Sequence, residues 1–207
     1  SIDSIAALLS YDHGNAIDID SDSTLLISSR LNNEITKINR KTGDIIWRLG
    51  GKSNEFTFVN DDGFCLQHDI RRLANGNITL FDNGGCHNPP VSSAKEYELD
   101  EVNKIATLVW KYEHPSKMYC ETMGNVQRLP NGNTFINWGK IPDDGMVGPV
   151  LLPAVTEVRP DNSVAYELTF STFYHLAYRA YRFVWDVEPP IISNNEELKS
   201  TFDFDIY

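Results

Sequence analysis

Gln67-His68-Asp69-Ile70-Arg71-Arg72-Leu73-Ala74-Asn75-Gly76-Asn77-Ile78-Thr79-Leu80-Phe81-Asp82-Asn83-Gly84 reads as one ionisable side chain, His68, leading into a β-hairpin. Two β-rich runs flank Ala74-Asn75-Gly76-Asn77, and an Asn-Gly pair supplies the positive φ that tight hairpin turns demand. The stretch has a relative on each side. His13-Gly14-Asn15-Ala16-Ile17 opens a similar segment upstream and Met123-Gly124-Asn125-Val126-Gln127 opens one downstream, so that His13, His68 and Met123 stand at a constant interval of 55 residues. Phe81 and Ile136, in the second strands, keep the same interval. A fixed interval of this length signals repeated supersecondary units, in which matching positions occupy matching places.

Working outward, residues 13–51 form two hairpins in succession, with turns at Asp20-Ser21-Asp22-Ser23 and Arg40-Lys41-Thr42-Gly43-Asp44. Asp20-Ser21-Asp22 lacks the glycine and distal glutamate of a calcium loop, and so reads as a turn. Residues 68–113 and 123–170 repeat the plan, and Tyr178 to Trp185 reads as one further strand. Four strands per unit, three units and almost no helical periodicity predict an all-β fold, a β-propeller with one blade per unit. A two-sheet sandwich fits the constant interval less well. Closed propellers need about 4–8 blades, so residues 1–185 are expected either to be a fragment of a larger propeller or to take the missing sectors from elsewhere. Residues 186–207, acidic and with paired prolines, read as a tail or interblade excursion.

The 207 residues carry 18 basic and 29 acidic side chains, a formal charge of −11. That balance argues against nucleic acid as a partner, since a basic stripe is its expected footprint. No apolar run of about 18 residues predicts a membrane span, and residues 1–10 lack the basic start of a signal peptide, as if the sequence began mid-chain. Cys65, Cys86 and Cys120 show no metal-ligand spacing and read as free thiols.

In a propeller the first strand of each blade lines the central channel. His13 and His68 would then meet at one rim, where two imidazoles suit proton transfer, oxyanion stabilisation or nucleophilic attack. Each also reads as a satisfied histidine at a strand start. Arg30, closing the second strand of the first unit, reads equally as a bidentate anion clamp and as a surface arginine at a strand end. Zinc on His13, His68 and Asp69 lacks a metal-type spacing, and no metal or cofactor is expected. His87, His114 and His175 lie outside the register and read as surface or packing residues; Trp47 and Trp110 read as packing between blades.

These residues carry a resemblance. His13-Gly14-Asn15-Ala16, Ser28-Ser29-Arg30, the run Lys41 to Gly51, Gln67-His68-Asp69, Leu80 to Gly84, Gly124 to Asn133 and Tyr178 to Phe183 together resemble the arylsulfotransferase (aryl-sulfate sulfotransferase) family, in order over about residues 11–185. The resemblance implies a six-bladed propeller that moves a sulfuryl group from a phenolic sulfate ester to a phenol, without a nucleotide sulfate donor. It implies a transient sulfohistidine in a ping-pong cycle, with His68, His13 and Arg30 as catalytic residues, Asn15 and Asp69 as substrate contacts, and a secreted or periplasmic location. The alternative is a non-catalytic secreted propeller that binds an aromatic or sulfated ligand. This chain departs from the family at Ser93, where an arginine is common, and at Met123, where the interval places a third histidine.

Overall fold

The computed structural model describes residues 12–141, 152–170 and 176–184, and the described residues contain strands and turns but no helix. The sequence readings for His175 and for residues 186–207 lie outside them.

The first sheet is a four-stranded antiparallel meander of β1 (Gly14–Ile19), β2 (Leu25–Ser29), β3 (Glu34–Ile38) and β4 (Ile45–Gly50), in that spatial order. The second contains β6 (His68–Arg72), β7 (Ile78–Asp82), β8 (Ser93–Asp100) and β9 (Ile105–Tyr112), with β5 (Thr57–Val59) added in parallel to β9 at the outer edge. The third is β10 (Asn125–Arg128), β11 (Thr134–Asn137), β12 (Val155–Val158) and β13 (Val164–Leu168). These are propeller blades, each a short up-and-down sheet stacked face to face on the next.

The hairpin that opens the second blade turns as its sequence dictates. Leu73 N–H donates to Asn77 O at 2.8 Å, Gly76 sits at φ 91°, and the Asn75 side chain accepts from Asn77 N–H. The third blade repeats this turn at Leu129 to Asn133, with Gly132 at φ 86°.

Two cores hold the blades together. Leu26, Ile35, Trp47 and Leu49 of the first blade pack on Ile70, Ile78, Leu80 and Tyr97 of the second. Phe81, Ala94 and Tyr112 pack from the second blade's other face on Val126, Ile136, Trp138 and Val158 of the third. Successive residues of β7 face opposite cores, which is why all five of its residues are buried. Each large apolar side chain removed from water contributes about 1.5–3 kcal/mol.

Asp20 and Asp22 form the turn read from the sequence, and their carboxylates lie 3.0 Å from Lys37 Nζ. Arg72 of β6 joins this cluster through Asp20 at 2.6 Å and Glu101 at 2.7 Å. Trp47 is buried in the first core, where its indole N–H donates to Glu101. Trp110 stacks under the Arg128 guanidinium at 4.0 Å, between the second blade and the third.

Candidate functional site at the histidine rim

The geometry follows from a β-bulge. Pairing of β6 with β7 shifts between His68 and Arg71, and Asp69 takes φ 57°, the left-handed region that aspartate tolerates better than most residues. Around that kink, consecutive side chains reach different blades. Gln67 turns into the first blade and donates to Ser28 Oγ at 3.1 Å and Glu34 O at 3.1 Å. His68 turns toward the third.

Burial and hydrogen bonds define the state of His68, which is 2% exposed. Asn83, fully buried, donates its amide to Cys120 O and Met123 O, which leaves its Oδ1 facing His68 Nδ1 at 2.7 Å. Nδ1 also faces Leu66 O at 3.2 Å, so it stands between two acceptors and carries the proton. Nε2 accepts from Met123 N–H at 3.2 Å. His68 is therefore a neutral imidazole with both nitrogens engaged, and burial pushes its pKa down to about 4, with the Arg30 and His13 charges adding to the effect.

His13 is exposed at the start of β1, and its ring stands edge-on to His68 with centroids 6.0 Å apart and planes at 79°. Tyr178 flanks His68 on another side at 6.4 Å. Arg30 joins this group from the end of the first hairpin. Its backbone N–H donates to His13 O at 2.8 Å and its Nη2 to Glu121 O at 2.7 Å, while its Nε–H is buried with no partner among the described residues. A buried guanidinium N–H without an acceptor is the donor an anion would satisfy.

Asn15 and Asp69 are spent on the scaffold. Asn15 donates to Gln67 O at 2.8 Å and accepts from Asp69 N–H at 3.2 Å, so one side chain braces both neighbours of His68. Asp69, 1% exposed, accepts from Arg71 at 2.5 Å and from Val126 N–H at 3.3 Å. Burial raises its pKa, with the Arg71 charge pulling the other way.

Residues 176–184 lie along β10 without forming a regular strand, and the backbone bond that reaches them is Gly124 N–H to Tyr178 O at 3.4 Å. Carboxamide side chains make the connection, each offering the donor and acceptor of a peptide group. Asn125 pairs with both backbone groups of Ala180 at 2.8 Å, and Gln127 with those of Arg182 at 3.0 and 2.8 Å. This docking returns Tyr178 to the rim and brings Arg179 within 2.5 Å of Asn15 O. A cavity of about 380 Å³ opens further along the same strands, lined by Arg71, Gln127, Tyr181 and Phe183 among others.

The sequence reading brought His13, His68 and Arg30 to one place, and the structure has them adjacent. It missed Asn83 and Arg179, whose roles depend on folding, and Tyr178. The last was detectable, because Tyr178 extends the 55-residue series from Met123. His114 packs edge-on against Trp138 at 5.8 Å, and His87 is hydrogen-bonded to Asp82.

The stacked four- and five-stranded sheets and the polar rim where the blades' first strands converge define a β-propeller protein with a histidine-arginine site. Residues 7–144 match the family model of the arylsulfotransferases (ASST), and the chain belongs to the arylsulfotransferase family. No curated protein matches the chain. Among solved structures it is similar to a protein of unknown function from Bacteroides caccae, at 15% identity and TM-score 0.54 over 79% of this chain and 52% of that one. It is also similar to the PQQ-bound aldose sugar dehydrogenase of Streptomyces coelicolor, at 14% identity and TM-score 0.45 over 72% and 45%. The chain thus spans about half the length of these structures.

Proposed function

We propose that the protein transfers a sulfuryl group from a phenolic sulfate ester to a phenol, with His13 as the group that carries it. The observation behind this reading is the exposed His13, whose imidazole stands edge-on to His68 and whose carbonyl accepts from the Arg30 N–H, together with an Arg30 Nε–H that is buried and has no acceptor among the described residues. In the first half-reaction a ring nitrogen of His13 forms an N–S bond as the ester S–O bond breaks, and the phenolate leaves to take a proton from solvent. In the second, the acceptor oxygen bonds to sulfur as the N–S bond breaks, and its proton passes to solvent. The Arg30 guanidinium meets the charge spread over the sulfuryl oxygens.

His68 is a positioning residue in this scheme: neutral and anchored by Asn83 and Met123, it fixes the wall against which His13 rests. Asn15 and Asp69 act through it. Further blades against the open faces of the first and third sheets would complete the ring, and the family resemblance supports a secreted or periplasmic location. Among the described residues no helix is long and apolar enough to cross a membrane.

Full-length protein given a chromogenic aryl sulfate and a phenol acceptor tests the scheme. His13→Ala is expected to abolish transfer and Arg30→Ala to lower it by roughly 10²–10³-fold, the scale of one lost oxyanion donor. Radiolabelled donor without acceptor should leave an acid-labile label on the wild type and none on His13→Ala. Turnover unchanged in both variants overturns the assignment. The second reading, a propeller that binds a sulfated aromatic without turnover, has Met123 and the fully engaged His68 in its favour; it predicts Arg30-dependent binding with no label.

A further inference from the structure

Behind the histidine rim, the loop that follows β7 folds back on the turn that precedes β6. Cys65, Asp82 and His87 meet there, and their Sγ, carboxylate oxygen and ring nitrogen all lie within 4.8 Å of one another. Cys65 and Asp82 are buried and His87 is partly so. Their mutual bonds already resemble a ligand set with its supports: His87 Nε2 is 2.8 Å from Asp82 Oδ2, Cys65 N–H donates to Asp82 Oδ1 at 3.0 Å, and Cys86 N–H donates to Cys65 Sγ at 2.9 Å. A backbone N–H aimed at a cysteine sulfur is the outer-shell contact that stabilises a metal-bound thiolate.

We propose that Cys65, Asp82 and His87 bind a zinc-class divalent cation, with water in the fourth position. Thiolate, imidazole and carboxylate are the donors zinc accepts, and tetrahedral bonds of about 2.0–2.3 Å place ligand atoms some 3–4 Å apart. The three ligand atoms, already within 4.8 Å of one another, stand near that spacing.

Charge balances without rearranging the surroundings. Metal binding releases the Cys65 thiol proton, so that one thiolate and the Asp82 carboxylate neutralise the dication. Lys95, 2.9 Å from Asp82, keeps its other partners, Asp61 at 2.8 Å and the Gly63 carbonyl at 2.5 Å. The loop is held for the purpose: Gly84, at φ 70°, donates to Cys65 O at 3.1 Å, and a Cβ on it would lie 1.9 Å from Val91 O. The donors are spread over positions 65, 82 and 87, which is why no metal spacing shows in the sequence. The site would lock the two segments that carry His68 and Asn83, because Cys65 lies three residues before the first and Asp82 directly before the second.

Cobalt(II) titration of the full-length reduced protein tests this independently of any sulfotransferase activity. The expected result is about one cobalt per chain, with intense tetrahedral visible bands and a near-ultraviolet thiolate-to-metal band, displaced by zinc. Cys65→Ser should lose the thiolate band. His87→Ala, at a partly exposed position and so safe for folding, should weaken cobalt binding by at least tenfold, whereas His13→Ala should leave it unchanged. Absence of a thiolate band, its survival in Cys65→Ser, or undiminished affinity in His87→Ala overturns the proposal.

Discussion

His68 illustrates how a residue read as chemical can be structural first. Its pKa is depressed by burial to about 4, below the 6.5 of an exposed histidine. The unfolded chain therefore binds a proton that the folded chain refuses between these values. Stability from this group is fully present above pH 6.5 and is lost as pH falls through 4. The shift corresponds to roughly 3 kcal/mol. Denaturant melts between pH 7 and 4 should show that loss in the wild type and a flatter profile in His68→Gln. Equal slopes in both proteins would place the acid sensitivity elsewhere. Residue type and interval pointed to His68, but its partner Asn83 could not be read. The pairing exists only because a bulge at Asp69 redirects the strand, and a positive φ at an aspartate leaves no mark in a hydrophobic pattern.

At the scale of elements, most of the fold was legible because the hairpins carry their own instructions: polar turns, with Asn-Gly at Asn75-Gly76 and Asn131-Gly132, alternating apolar residues and a constant interval. Strand β5 was not. Thr57-Phe58-Val59 is three residues long in a polar stretch, and what holds it is Phe58 packed edge-on against the nearby Phe64 and against Tyr97, which is distant in sequence. The free energy of a short edge strand lies in its tertiary contacts, so propensity alone passes it over.

Residues 178–182 were legible as extended chain but not as chain attached through carboxamides. Asn125→Leu, nearly isosteric, should leave the Ala180 N–H and C=O without partners at a cost of about 1–3 kcal/mol. Hydrogen exchange reads this directly: protection at the Ala180 amide should fall in the variant while the amides of β7 keep theirs. Loss of protection throughout would instead make Asn125 part of the global core.

The blades differ in how completely they are covered. The second is buried on both faces, whereas the first leaves Ile17 and Ile19 of β1 exposed at 63% and 62%, and the third leaves Val164, Tyr166 and Leu168 of β13 exposed. Aligned apolar side chains on two outer faces form apolar patches of the kind that drive association when uncovered. Against a net charge of −11, which disperses molecules, the apolar faces are expected to win at high concentration, because charge repulsion is screened beyond about 8 Å at physiological salt and apolar contact is not. Sedimentation velocity should therefore show concentration-dependent association of the 207-residue chain. Ile17→Lys combined with Ile19→Lys should reduce it while changing folding stability by no more than about 0.5 kcal/mol per site, as exposed positions do. A double variant that melts several kcal/mol earlier and associates as before would show that Ile17 and Ile19 pack within the chain, and that the first blade's outer face needs no neighbour.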